Sequence, residues 1–247
     1  MTETTADEPD LADKGERRQG RGFLLFLRDA VIVIVIALLA SFLIKTFLVR
    51  SFYIPSGSME DTLEVQDRIL VNQLVPDLVP LSRGDVIVFQ DPGGWLTPQP
   101  PSDPGFLMTV LEAVGFAPST SDDHLVKRLI GLPGDHVVCC NALGQITIND
   151  VPISEPYLKL PEGVTAASRD AFDVTVPEGY LWVLGDNRYS SKDSRYNQDK
   201  PGQGFVPIEN VVGRAFVINW PLNRLAWLEN YPEVFGDVPP ATTSSSP

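Results

Sequence analysis

Hydrophobic positions along the chain fall into three regimes. From Phe23 to Val49 they run almost unbroken, FLLFLRDAVIVIVIALLASFLIKTFLV, with Ser41 the one polar residue inside Ala30–Ile44. From Arg50 to about residue 235 they come in short bursts of Val, Ile, Leu and aromatics between Gly, Pro, Asn and Asp. At the ends, residues 1–22 and 236–247, there is no apolar periodicity. The first regime predicts a helix apolar all round, the second a set of strands, and the ends disordered tails.

Three readings compete for residues 23–49: a buried core helix, a cleaved signal peptide, and an uncleaved membrane anchor. Apolar residues on every side disfavour a core helix, which buries one stripe. The charged region before the run is long, and Ala37–Ala40 has Leu38 where a cleavage site wants a small residue. That leaves a signal anchor, with Leu24–Leu27 and Phe47–Val49 extending the span and Arg28 and Lys45 snorkelling. Lys14, Arg17, Arg18, Arg21 and Arg28 lie on its N-terminal side against Lys45 and Arg50 on the other. The positive-inside bias predicts a cytoplasmic N-terminus and an extracytoplasmic remainder, single-pass in the cell membrane.

In the middle regime, strands are predicted at Arg68–Leu74, Asp85–Gln90, Leu125–Ile130, His136–Cys139, Gln145–Ile148, Tyr180–Leu184 and Val211–Trp220. Asn149-Asp150 predicts a tight hairpin. A Pro/Gly-rich insertion covers 91–123, and within it Phe106–Phe116 has helical spacing, read as a packed surface helix over the alternative of a membrane-touching loop. The domain plan is therefore tail (1–22), anchor (23–49), extracytoplasmic β domain (50–235) and tail (236–247).

Charge narrows the partners. A net charge of −13 argues against nucleic acid, whose phosphates need a basic patch. The two cysteines, Cys139 and Cys140, are adjacent, and neighbouring Cα atoms lie about 3.8 Å apart, closer than the roughly 4.4–6.8 Å of most disulfides. A vicinal bridge between them is open but strained; the plainer reading is two half-buried strand thiols on opposite faces. No Cys/His spacing suits a metal.

The stretch IPSGSMEDTL, Ile54–Leu63, follows closely on the apolar run. Locally, Ser58 reads as a helix N-cap with acids after it, and Pro55 and Gly57 as turn residues. A serine nucleophile would instead need a base. His124 and His136 are candidates, though His136 starts a strand after a turn. A lysine can serve if burial lowers its pKa. Of six lysines, Lys127 stands out: in a strand Leu125–Ile130 it shares a face with Leu125 and Leu129. A snorkelling strand lysine fits the same alternation. Arg128 is on the other face and cannot deprotonate.

Ser56-Gly57-Ser58-Met59 after an anchor, Arg83-Gly84-Asp85 entering a strand, Lys127-Arg128 before Gly131-Leu132-Pro133-Gly134-Asp135, and Gly185-Asp186-Asn187-Arg188 followed by Ser191-Lys192-Asp193-Ser194-Arg195 resemble the ordered boxes of bacterial type I signal peptidases. The resemblance covers roughly residues 25–222, and the insertion at 91–123 is similar to that of high-GC Gram-positive members. It implies a mainly β fold of antiparallel sheets around a partly closed barrel, preceded by one transmembrane helix. It also implies an endopeptidase that removes signal peptides from secreted preproteins after small residues, with no metal or nucleotide cofactor. Partners would be signal peptides and membrane lipid.

By that resemblance Ser58 is the nucleophile, Lys127 the general base, and Ser191 the hydroxyl that orients the lysine. The Ser56 hydroxyl and the Ser58 N–H form the oxyanion hole. Asp193 and Arg195 are a structural ion pair, and Asp186 and Asn187 fix their loop. Phe52, Ile54, Pro55, Met59, Leu63, Leu125 and Val126 line shallow pockets for alanine-sized side chains, although plain core packing explains their apolar character equally. Ser190 stands where many members carry Asn. Rival readings are an autoprotease of the Ser/Lys type, a histidine-based signal peptidase, and a membrane-anchored binding protein without activity.

Overall fold

The computed structural model describes residues 13–97, 105 and 123–240. The chain divides into two compact units, residues 1–44 and 45–247. In the first, helix α1 (Asp13–Phe47) contains an 18-residue window, Leu25–Phe42, of mean hydropathy 2.4 with none of it buried. That window is long and apolar enough to cross a bilayer. The helix begins at Asp13, so residues 13–22 are helical where a disordered tail was expected. Lys, Glu, Arg and Gln are good helix formers, and extending an existing helix adds one hydrogen bond per residue fixed. Residues 1–12 and the expected helix Phe106–Phe116 lie outside the described residues.

The second unit is β. In chain order its strands are β1 (Val49–Tyr53), β2 (Arg68–Asn72), β3 (Val86–Gln90), β4 (His124–Gly131), β5 (His136–Cys139), β6 (Ile146–Ile148), β7 (Val151–Pro152), β8 (Phe172–Thr175), β9 (Tyr180–Leu184), β10 (Val206–Pro207), β11 (Val211–Trp220) and β12 (Ala226–Trp227). An eight-stranded sheet runs β1-β2-β11-β3-β4-β9-β10 with β12 beside β11, and a four-stranded sheet runs β7-β6-β5-β8. Every paired ladder is antiparallel. The larger path has two free ends, β1 and β10, so its closure is partial.

All seven expected strands form, shifted by a residue or two at some ends. Val49 belongs to β1 and not to the apolar helix, because it pairs with Asn72 of β2. The hairpin at Asn149-Asp150 joins β6 to β7, with both residues at positive φ (50° and 66°), as a type I′ turn requires.

Three apolar clusters hold the sheets. One fills the smaller sheet against Trp182, Leu184 and Phe205; one lies under β1–β3 and the turn at Met59 and Leu63; the third joins Ile87, Phe89, Leu125, Leu129 and Val183. After the short helix α2 (Pro232–Phe235), Val238 is buried in the first cluster, and the Pro239 carbonyl accepts from Arg83 and Asn149. The chain is thus anchored at Val238 and Pro239 where a disordered tail was expected, because an apolar side chain and a carbonyl both find partners. Cys139 and Cys140 also depart from expectation: their sulfurs are joined as a vicinal disulfide. β5 ends at Cys139, so the alternation that would send the two side chains to opposite faces stops there.

Candidate active site

β4 delivers the base candidate. Lys127 pairs across the ladder with Ile87 of β3, and Arg128 with Val86 on one side and Leu184 of β9 on the other. A central strand between two neighbours shuts out water from both residues: Lys127 is 4% exposed and Arg128 0%. Ser58 arrives from the turn after β1. It sits inside a single 3₁₀ turn, Gly57–Met59, for which Ser56 takes the cap position, so it is not the N-cap of a longer helix. Met59 and Leu63, fully buried beneath it, hold the turn against the core.

The two meet although 69 residues apart in sequence: Lys127 Nζ donates to Ser58 Oγ at 2.7 Å. Burial lowers the Lys127 pKa from 10.5 to about 8, opposed by the charges of Asp193 and Asp186 and helped by Arg195. Ser56 Oγ lies 3.4 Å from Ser58 Oγ on the side open to solvent. Neither histidine is a hydrogen-bond partner of Ser58 among the described residues; His136 pairs with Asp173 and His124 with Asp123.

The loop after β9 braces this pair. Gly185 passes so close that a Cβ there would collide with the Ser58 carbonyl and the Ser191 side chain. Asn187 donates from its backbone to the Ser58 carbonyl (3.1 Å), and from Nδ2 to the Gly57 carbonyl (3.1 Å) and Glu60 (3.2 Å). Asp193 accepts from Gly185 N–H (2.9 Å) and from the Arg195 fork at 2.8 and 2.7 Å, with both side chains buried. Burial alone would raise the Asp193 pKa, but the Arg195 fork and these hydrogen bonds outweigh it and hold it below the usual value. This is a buried pair and not a solvated loop pair.

One expected contact is not made. Ser191 is buried against Gly185, but among the described residues its hydroxyl has no partner at hydrogen-bond geometry, Lys127 included, though it lies near enough to Asp193 to help lower that pKa. Of the expected pocket lining, Phe52, Ile54, Met59 and Leu63 are core residues of one cluster, and Leu125 packs in a different one. Strand alternation puts Leu125 and Val126 on opposite faces, and Val126 packs, partly buried, against the cluster of Phe52, Ile54, Met59 and Leu63. Pro55 is exposed and Val126 half-buried.

Arg128 is the residue that sequence reasoning set aside. It grips Asp186 through Nε (2.8 Å) and Nη2 (2.6 Å), donates to the Gly84 carbonyl (2.7 Å), and lies over the Tyr157 ring at 3.9 Å. Thr62 Oγ1 donates to the same Asp186 at 2.5 Å. Burial tends to lower the Arg128 pKa, but Asp186 outweighs it and raises it. Asp186 therefore ties the strand that carries Lys127 and the segment after Ser58 to one loop, a larger role than fixing a turn. Behind it a second buried pair joins Arg188 Nη1 to Glu155 at 2.9 Å.

A cavity of about 570 Å³ lies elsewhere, lined by Leu48, Asn72, Val86, Arg214, Phe216 and Trp227 among others, with neither Ser58 nor Lys127 in its wall.

A buried serine hydroxyl bonded to a lysine of lowered pKa, on an antiparallel β scaffold, has the make-up of a serine hydrolase with an amine base. The family model described as signal peptidase, peptidase S26, matches residues 27–220. A probable signal peptidase I of Mycobacterium leprae is 38% identical over 229 residues, covering 80% of this chain and 78% of that one. The signal peptidase I of Mycobacterium tuberculosis (strain CDC 1551 / Oshkosh) is 36% identical over 226 residues, covering 80% and 74%. A crystal structure of a signal peptidase I from Enterococcus faecalis V583 is 29% identical with a TM-score of 0.36, covering 54% of this chain and 95% of that one. The chain belongs to the signal peptidase family, peptidase S26, and is a serine endopeptidase of that family.

Proposed function

We propose that this protein is a membrane-anchored enzyme that removes N-terminal signal peptides from secreted preproteins, with Ser58 as nucleophile and Lys127 as general base. The observation that carries the reading is the 2.7 Å contact between Lys127 Nζ and Ser58 Oγ in a site that lowers the lysine pKa to about 8. In the neutral form of the lysine, the same contact has the hydroxyl donating to the amine. As Ser58 Oγ attacks the scissile carbonyl, its proton passes to Lys127 and negative charge forms on the carbonyl oxygen. The Ser56 hydroxyl and Ser58 N–H receive that charge. Lys127 then protonates the departing amine of the mature protein, and in the second half it takes a proton from the water that hydrolyses the acyl-enzyme.

The setting fits a substrate that emerges from a bilayer. The segment from Lys45 to Ser58 spans at most about 43–47 Å even when extended, so the nucleophile stays near the membrane surface. The basic residues before the span favour a cytoplasmic N-terminus and an extracytoplasmic β domain. Phe52, Ile54, Met59 and Leu63 form a filled floor beneath the nucleophile turn, which leaves little depth. Small residues before the scissile bond suit such a surface, with Pro55 and Val126 as the accessible contacts.

The test is purified full-length protein in detergent micelles with a preprotein bearing an A-x-A site. Cleavage after the small residue is expected, and Ser58→Ala should abolish it while leaving the circular dichroism unchanged. Undiminished cleavage by a folded Ser58→Ala protein would refute the assignment.

A further inference from the structure

We infer that Asn187 is a positioning residue for the oxyanion hole, acting through the Gly57–Ser58 peptide. The inference rests on the proposed role of the Ser58 N–H as an oxyanion donor.

In a trans peptide the C=O and N–H of one unit point in opposite directions. Whatever grips the Gly57 carbonyl therefore aims the Ser58 N–H. Two donors grip it: Asn187 Nδ2 at 3.1 Å and the Glu60 N–H at 3.2 Å. The Glu60 bond closes the 3₁₀ turn itself and comes from the same segment as the carbonyl it grips. The Asn187 bond crosses from a separate loop, 130 residues away in sequence. A second bond from the same residue, its backbone N–H to the Ser58 carbonyl at 3.1 Å, fixes the next peptide. One residue thus holds both peptide planes flanking the Ser58 Cα, which leaves the Ser58 N–H no freedom to turn from its direction.

The holder is itself held. Asn187 is 8% exposed, and Asp186 before it is clamped by Arg128 and Thr62. The Asp186 carbonyl accepts from the Lys159 N–H at 3.0 Å, which pins the backbone at this point. Donation to the Gly57 oxygen also polarises the peptide and strengthens the Ser58 N–H as a donor, since hydrogen bonds in a chain reinforce one another. Both effects grow in value as charge develops on the substrate oxygen, and neither matters to a substrate that is merely bound. The side-chain amide is needed for this; the backbone bond to the Ser58 carbonyl survives any substitution at 187 other than proline.

The experiment uses full-length protein in detergent with Asn187→Asp, which keeps the shape but loses the donor, and Asn187→Ala, which loses the donor without adding a charge beside Glu60. Both should lower kcat by about 10–100-fold, less than the roughly 10²–10³ lost with an oxyanion donor itself, with KM little changed. A peptide aldehyde ending in alanine, whose adduct places its oxygen in the hole, should bind more weakly by the same factor. An uncleavable peptide should bind as in the parent protein, and the pH at which activity rises should not move, because Lys127 is untouched. Wild-type kcat in either folded variant would overturn the inference, as would a loss shared equally by the uncleavable peptide, or a failure of both variants to fold, which would make Asn187 a residue of the scaffold. Ser58→Ala keeps the two readings apart: if it stays active the serine mechanism fails, and if it is dead while the Asn187 variants are fully active, only this inference fails.

Discussion

Lys127 and Arg128 are neighbours in one strand, both shut away from water, yet β4 places them in opposite electrostatic conditions. Arg128 faces Asp186 at hydrogen-bond distance, with its remaining donors on carbonyls, and its pKa is raised. Lys127 meets a neutral hydroxyl and forms no ion pair among the described residues, and its pKa falls to about 8. Asp193 and Asp186 pull that value upward but do not overcome desolvation. The difference teaches that burial does not by itself decide whether a cation is structural or chemical: a guanidinium stays charged in any case, and for an ammonium the partner decides. A buried ammonium with a carboxylate partner is locked in charge, whereas one given only a hydroxyl can release its proton near neutral pH.

The largest effect should come from removing the unpaired cation. Lys127→Met should lower cleavage by about 10⁴-fold or more, since no other base contacts Ser58 among the described residues. In the parent protein kcat/KM should rise with pH and level off above about 8, as the neutral amine becomes the dominant form. Stability carries the same signature. Between about 8 and 10.5 the unfolded chain holds a proton on this lysine that the folded protein does not. The contribution of Lys127 to stability therefore rises with pH across that window. Below it, burying the charged amine costs on the order of 3 kcal/mol. Denaturant titrations at several pH values should show the rise in the parent protein and its loss in Lys127→Met. A folded Lys127→Met protein that cleaves normally would end the comparison, because the unpaired lysine would then have no chemical task.

Next in size is the paired cation. Arg128→Met leaves Asp186 buried without its main partner and should destabilise by about 3–5 kcal/mol in denaturant titrations. Replacing both, Arg128→Met with Asp186→Leu, should recover much of that loss, because a buried pair stabilises little beyond an apolar substitute. Recovery of stability without recovery of activity would sharpen the contrast further: the pair would then serve to place the loop that carries Asn187 and Asp193. Failure of the double variant to recover would assign the pair a stabilising role beyond its own desolvation.

How far this was legible in the sequence differs between fold and site. β3, β5, β9 and β11 carry runs of β-branched and aromatic residues, and these announce themselves. β1, VRSFY, follows directly on the apolar run and reads as its tail, and β8, FDVT, has too few apolar positions to show a period. β7, β10 and β12 are two residues long, shorter than any period. For the site, alternation placed Lys127 on an apolar face, but its partner came from the ordered boxes and not from any local pattern. Arg128 could be dismissed as a base, yet its grip on Asp186, 58 residues on, depends on β4 pairing with β9 and leaves no local trace. Ser191 shows the opposite failure: the motif supplied a partner for its hydroxyl that the packing around Gly185 does not provide.

The smallest effect belongs to a third cation, and it tests the comparison from outside. Lys159 reaches Glu60 and Asp61, each at 3.2 Å, so by partner count it is better paired than Lys127. Those bonds raise its pKa, and hydrogen bonds to Asp61 and Glu60 are the leading causes. Yet its side chain is 40% exposed, so water and salt screen the attraction, and holding a long flexible side chain in place offsets what remains. Lys159→Gln should therefore leave the melting temperature and the rate of cleavage indistinguishable from the parent at physiological salt. Its Glu60 neighbour keeps the Asn187 amide as a donor, so the nucleophile turn loses none of its bracing. A drop in melting temperature comparable to that of Arg128→Met would show that pairing matters here regardless of exposure. The contrast within β4 would then need a cause other than the exclusion of water.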